Sequence, residues 1–242
     1  MSNNPMIKQD FVDAVVLDDK TMSISGSINK TAILLGVVVL VAYYTWTLCA
    51  QGFADKAHLL MIVGAIAALV LAIVTAFKPR VAPITAPVFA LCQGASLGVI
   101  SYLYGSAFDG IIQNAIMITM STMFAMLFLY KTRIIKATET FRKTIVTATF
   151  GVLIFYIAGW IGALLGHPMT IFNGGIVGIG VSLLICGITA FNFILDFDFI
   201  ERGEEQGLPQ YFEWYGSFSL LVTLLWLYVE VLRLLAQFNS RD

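Results

Sequence analysis

The sequence predicts an all-α, polytopic integral membrane protein with seven transmembrane helices, and three observations carry that prediction. Hydrophobic residues make up 59% of the chain and charged residues only 12%, and the mean hydropathy is +0.86, far from the balance of a soluble domain. The apolar residues are gathered in long blocks. Seven of those blocks reach about 20 residues, the length an α-helix needs to cross the hydrocarbon core.

The blocks follow in order, bounded by polar or charged residues. They cover 31–50, after Lys30; 57–77, between Lys56 and Lys78; 83–104, between Arg80 and Asp109; and 110–130, ending at Lys131. The fifth covers 145–165, after Lys143; the sixth, 172–196, runs into a carboxylate-rich stretch; the seventh covers 215–236, after Glu213. The expected organisation is a mobile tail over 1–30, a transmembrane domain over 31–236 and a short tail over 237–242. The first 30 residues are polar and acidic, unlike the short basic start of a cleaved signal peptide, so the first helix is expected to stay.

Basic residues in the connections set the orientation, because loops rich in Lys and Arg are retained on the cytoplasmic side. With the N-terminus inside, the inner segments hold eleven: Lys8, Lys20, Lys30, Lys78, Arg80, Lys131, Arg133, Lys136, Arg142, Lys143 and Arg202. The outer segments hold Lys56, Arg233 and Arg241. The imbalance predicts a cytoplasmic N-terminus and an external C-terminus.

Several chemistries are disfavoured by residue type and placement. Cys49, Cys92 and Cys186 lie in or beside predicted spans without paired spacing, which gives neither a disulfide framework nor a metal site. A pI near 6.1 and a net charge of -1 argue against a nucleic-acid partner. The last block has no lysine to form a retinal Schiff base. "GASLG", 94–98, matches G-x-S-x-G, but His58 and His167 fall at outer loops while Ser96 lies inside the third helix. Small residues there are expected to let helices approach closely. Two scattered histidines are also too few for a catalytic zinc. The expectation is a protein that is not an enzyme and holds no cofactor.

The placement of acids is more informative. "FNFILDFDFIERGEE", 191–205, has five carboxylates at the end of the sixth block, where a helix terminus already disfavours anions. Ser182, Thr189 and Asp196 recur at seven-residue spacing with Asn192 four residues before Asp196, a polar stripe on one helical face. Asp198 points about 160° away and is expected at the interface. The seventh helix has a second stripe of Gly216, Thr223 and Glu230, and facing stripes could line a path. Acids inside membranes are usually paired and functional. Glu230 has a candidate partner in Arg233, one turn on. Lys78 and Arg80 are the expected counter-charges for Asp196, which would answer the unfavourable dipole.

Two stretches carry a family likeness: "LDFDFIERGEEQGLPQYFEWYGSFSLLVTLLWLYVEVLRLL" at 195–235 and "APVFALCQGASLGVISYLYG" at 86–105. The chain resembles the Bax inhibitor-1-like, or transmembrane Bax inhibitor motif, family over all seven spans, and its bacterial branch more closely. The resemblance implies a central last helix. It also implies a pH-sensitive calcium leak gated by a pair of acids on the last two helices, calcium being the permeant species. Asp196 matches the sixth-helix acid through its D-x-x-x-I context. Aligned on Arg233, the expected seventh-helix acid falls on Thr223, and a third-helix glutamate falls on Gln93. Glu230 and Glu213 are the substitute acids.

Two functional readings follow. One is a proton-modulated cation pathway approached through Asp196, Asp198, Glu201, Glu204, Glu205 and Glu213, with only Arg202 opposing. The other is an interaction protein in a bacterial inner membrane that modulates membrane quality control, for example by occupying a membrane-bound protease with its N-terminal tail.

Overall fold

The computed structural model describes residues 20–166 and 175–240, and His167 and most of the N-terminal tail lie outside them. The described residues form α1 (Ile24–Ala50), α2 (Ala54–Phe77), a short 3-10 turn (Pro79–Val81), α3 (Ala82–Ala107), α4 (Ile111–Lys131), α5 (Glu139–Leu164), α6 (Ile176–Glu205) and α7 (Tyr211–Asn239). All seven α-helices are long and apolar enough to cross a membrane. This is the multi-span helical architecture that composition requires.

The two largest differences between helix boundaries and apolar blocks lie at the start of α1 and the end of α6. α1 starts at Ile24, because Ser23 adopts an extended backbone and its Oγ accepts from Gly26 N at 2.9 Å, capping a polar first turn that hydropathy passes over. α6 continues to Glu205, so Asp196 and Asp198 sit inside the helix, more than a turn from its end. The opposition between these two acids and the helix dipole therefore falls away, since the dipole acts within the last turn.

Close contacts divide the chain into two units: residues 1–99 with 198–221, and residues 100–197 with 222–242. In the first unit, α1, α2 and the start of α3 bury Leu34, Ala57, Ala86 and Ala90, and Phe89 meets Phe218 edge-on at 4.9 Å. The "GASLG" stretch seats α3 against its neighbours. A Cβ at Gly98 would strike Thr45 Oγ1 and the Ala42 carbonyl, so only glycine permits that approach of α3 to α1. Ser96 is buried and donates to the Met61 carbonyl at 3.0 Å.

In the second unit, Ile111, Met126, Tyr130, Ile145, Ile185, Phe193, Ile194 and Leu227 are buried. α5 presents Phe150, Leu153, Ile154, Ile157, Trp160 and Ile161 outward, which in a spanning helix is the surface that meets lipid tails. The contrast among helices is large: 56% of the most apolar window is buried in α3 and in α7, against 11% in α5. The last helix, expected to be central, is thus among the two most enclosed.

Candidate functional site

The polar stripe of α6 faces a polar stripe of α7 within the second unit. Thr223 donates its hydroxyl hydrogen to Asp196 Oδ2 at 2.6 Å, and Ser182 donates to Gln237 Oε1 at 3.1 Å. Fourteen residues forward on α6 correspond to fourteen back on α7, so the helices run antiparallel in seven-residue register. That register sets Thr189, fully buried, level with Glu230. Asn192 turns aside to donate to Thr149 Oγ1 on α5 and to the Ile188 carbonyl, both at 2.9 Å. Three levels of the seam therefore carry polar side chains in an otherwise apolar interior.

Asp196 is only 7% exposed. Its bond from Thr223 is short and charge-assisted when the carboxylate is ionised, roughly twice as strong as one between neutral groups. The position that the sequence alignment gives to a second acid is thus occupied by a hydroxyl in direct contact with the first. Thr223 donates where a carboxylate would compete for a proton.

Glu230 lies deep in the same unit, 1% exposed. The Tyr156 hydroxyl of α5 donates to its Oε1, and Arg233 Nη1 reaches its two carboxylate oxygens at 3.2 and 3.1 Å. Arg233 also donates to the Tyr156 oxygen at 2.7 Å, which closes a three-membered network. The pairing with Arg233 follows from helical spacing. Tyr156 carries no such signal, because it comes from a helix 74 residues away.

The acids of the first unit are engaged differently from their sequence-based reading. Asp198 is 4% exposed and pairs with Arg202 Nε at 2.9 Å, one turn further along α6. Asp198 is thus enclosed by protein, and α6 continues past it to Glu205. Glu213, 3% exposed, receives bonds from Ser23 N at 2.9 Å, Ser23 Oγ at 2.8 Å and the Lys30 ammonium. Glu204 accepts from Ile24 N at 3.0 Å. The acidic connection is therefore opposed by Lys30 as well as Arg202, and part of it caps the N-terminus of α1, where anions are favourable.

That cap belongs to a larger clasp. Met22 N donates to the Leu208 carbonyl at 2.7 Å, Gln210 N donates to the Lys20 carbonyl at 3.1 Å, and Thr21 and Pro209 form an antiparallel bridge. Ser217 donates to the Ser27 and Glu213 carbonyls at 2.7 Å each. Gly26 makes room for it: a Cβ there would overlap the Glu213 carboxylate. Sequence reasoning missed Ser23, Lys30 and Met22, all assigned to the tail. The S-x-x-x-x-x-x-K pairing with a glutamate 183 residues on has no local signature.

Lys78 closes the C-terminus of α2, and Arg80 lies in the following 3-10 turn, both exposed. Among the described residues, no group of three or more His, Cys, Asp or Glu side chains is placed to hold a metal ion.

Comparison with known proteins agrees with the two quoted stretches. The family described as Bax inhibitor 1 like matches residues 4–240, almost the entire chain. No match was found among curated proteins or among solved structures. A match of that extent, on a chain of seven membrane-length helices, makes this protein a member of the Bax inhibitor 1 like family.

Proposed function

We propose that this protein is a proton-modulated cation leak pathway, with calcium as the permeant ion, and that the Asp196–Thr223 bond is its latch. The single observation behind this reading is the 2.6 Å bond joining α6 to α7 at a buried carboxylate. Protonation of Asp196 removes the charge that strengthens the bond, so the seam loosens as pH falls. Asn192, on the same α6 face, ties that polar stripe to α5 through Thr149. Asp198, Glu213 and Glu230 are engaged by basic partners of their own, Arg202, Lys30 and Arg233. Lys78 and Arg80 serve as counter-charges on the cytoplasmic side, and the chain sits in a bacterial inner membrane with its N-terminus inside. The reading needs no enzyme activity and no bound cofactor.

Calcium flux into liposomes carrying the purified protein tests it. Asp196→Asn places a permanently neutral group at the latch, and the expected result is raised flux that no longer responds to pH. Abolished flux would make Asp196 a cation ligand instead. Flux with an unchanged pH response would remove Asp196 from the mechanism.

One observation also favours the alternative of a tail-mediated interaction protein: Lys20, Thr21 and Met22 are clasped to residues 208–210, so whatever engages the preceding tail pulls on the α6–α7 connection. Removal of residues 1–19 leaves the clasp whole. A conduit keeps its flux after that truncation, whereas a tail-dependent regulator of a membrane-bound protease loses its effect.

A further inference from the structure

We infer that the connection between α4 and α5 is a binding surface for anionic phospholipid headgroups. Residues 131–143 hold five basic side chains, Lys131, Arg133, Lys136, Arg142 and Lys143, against one acid, Glu139. The flanking helices are both of membrane-spanning length and hydropathy, so this loop lies at a bilayer surface. Lys131, Arg133, Lys136 and Lys143 are exposed. A concentration of basic residues directly beside a membrane span attracts anionic lipid.

Retention of a loop on one side of a membrane needs only charge, yet this loop has a defined shape. Thr132 Oγ1 donates to the Phe128 carbonyl at 2.8 Å and closes α4, while Thr138 Oγ1 accepts from Phe141 N at 3.2 Å and opens α5. Between them Arg133 adopts φ 58, the one positive φ at a non-glycine residue among the described residues, where the other five positions are glycine. A glycine would hold that left-handed conformation without a steric penalty, and an arginine stands there instead. Its guanidinium lies over the Tyr130 ring at 5.4 Å, a placement that leaves the planar fork oriented, and bidentate geometry suits phosphate oxygens. Next to it, Ile134 is 66% exposed in a polar loop, an apolar side chain placed to enter the acyl boundary beneath the headgroups. Charge, an oriented arginine and an adjoining apolar wedge together match a lipid phosphate with its acyl chains. A free anion would use the first two alone.

The test uses the full chain in phosphatidylcholine vesicles containing trace spin-labelled phosphatidylglycerol or spin-labelled phosphatidylcholine, with the immobilised fraction of each label read by electron spin resonance. The native protein is expected to immobilise the phosphatidylglycerol label in preference. Arg133→Gly, which retains the backbone conformation, should lower that selectivity by up to about fivefold, the equivalent of roughly 1 kcal/mol per basic residue. Replacement of Lys131, Arg133, Lys136 and Lys143 together by Gln should abolish it. No selectivity in the native protein, or full selectivity in the fourfold variant, overturns the assignment. Sodium phosphate displacing the label more strongly than sodium chloride of equal ionic strength also overturns it, and assigns the loop to free phosphate.

Discussion

Glu213 and Glu230 are both buried glutamates of α7, each held by one cation and one hydroxyl, with the Ser23 N–H added at Glu213, yet their partners come from opposite kinds of neighbour. Arg233, the cation of Glu230, is three residues away on the same helix, and the hydroxyl arrives from α5. The cation and hydroxyl of Glu213, Lys30 and Ser23, both come from the segment that leads into α1. Glu230 neutralises its own helix locally and ties in one neighbour. Glu213 closes a long loop of chain and fixes where the first span begins. In both, the buried carboxylate is engaged by an ion pair, within one helix at Glu230 and across a long stretch of chain at Glu213.

Three substitutions sharpen that comparison, in decreasing order of expected effect. Arg233→Met leaves the Glu230 carboxylate buried with only the Tyr156 hydroxyl to satisfy it, and should cost about 3–5 kcal/mol. Thermal unfolding of the detergent-solubilised protein reads this, and Glu230→Gln in the same chain should recover much of the loss. Lys30→Met removes one of three donors to Glu213 and leaves both Ser23 bonds, so about 1.5–3 kcal/mol is expected in the same assay. A larger loss for Lys30→Met than for Arg233→Met would reverse the ranking of the two sites. Gly26→Ala pushes a methyl group into the Glu213 carboxylate, which can yield only by straining its bonds, and about 1 kcal/mol is expected. Combined with Lys30→Met, its cost should shrink, because the carboxylate is then freer to move.

Much of this was legible in the sequence wherever the signal is local or periodic. Seven blocks of apolar residues specify seven helices because the bilayer requires every span to satisfy its own backbone. Residues 182, 189 and 196 declare a face because seven residues nearly complete two turns. Arg233 beside Glu230 follows from the same periodicity. The start of α1 was not legible, since hydropathy ignores "ISGSINK" while a serine cap and a distant glutamate define it. The end of α6 was not legible either, because the end of the apolar block was read as the end of the helix. Neither Tyr156 nor Lys30 could be assigned, because tertiary contacts between distant helices leave no spacing to read. Thr223 is the instructive case: its alignment against a family acid identified the position, and the fold puts its hydroxyl on Asp196.

The central claim is that the hydroxyl-to-carboxylate bond between α7 and α6 holds the pathway closed. Calcium flux through liposomes carrying Thr223→Val, followed from neutral to acidic pH beside the native protein, tests it most directly. Valine keeps the side-chain volume close and removes the donor. The account predicts high flux at neutral pH that rises little on acidification, since the bond that protonation weakens is already gone. Native flux with the native pH profile would contradict it.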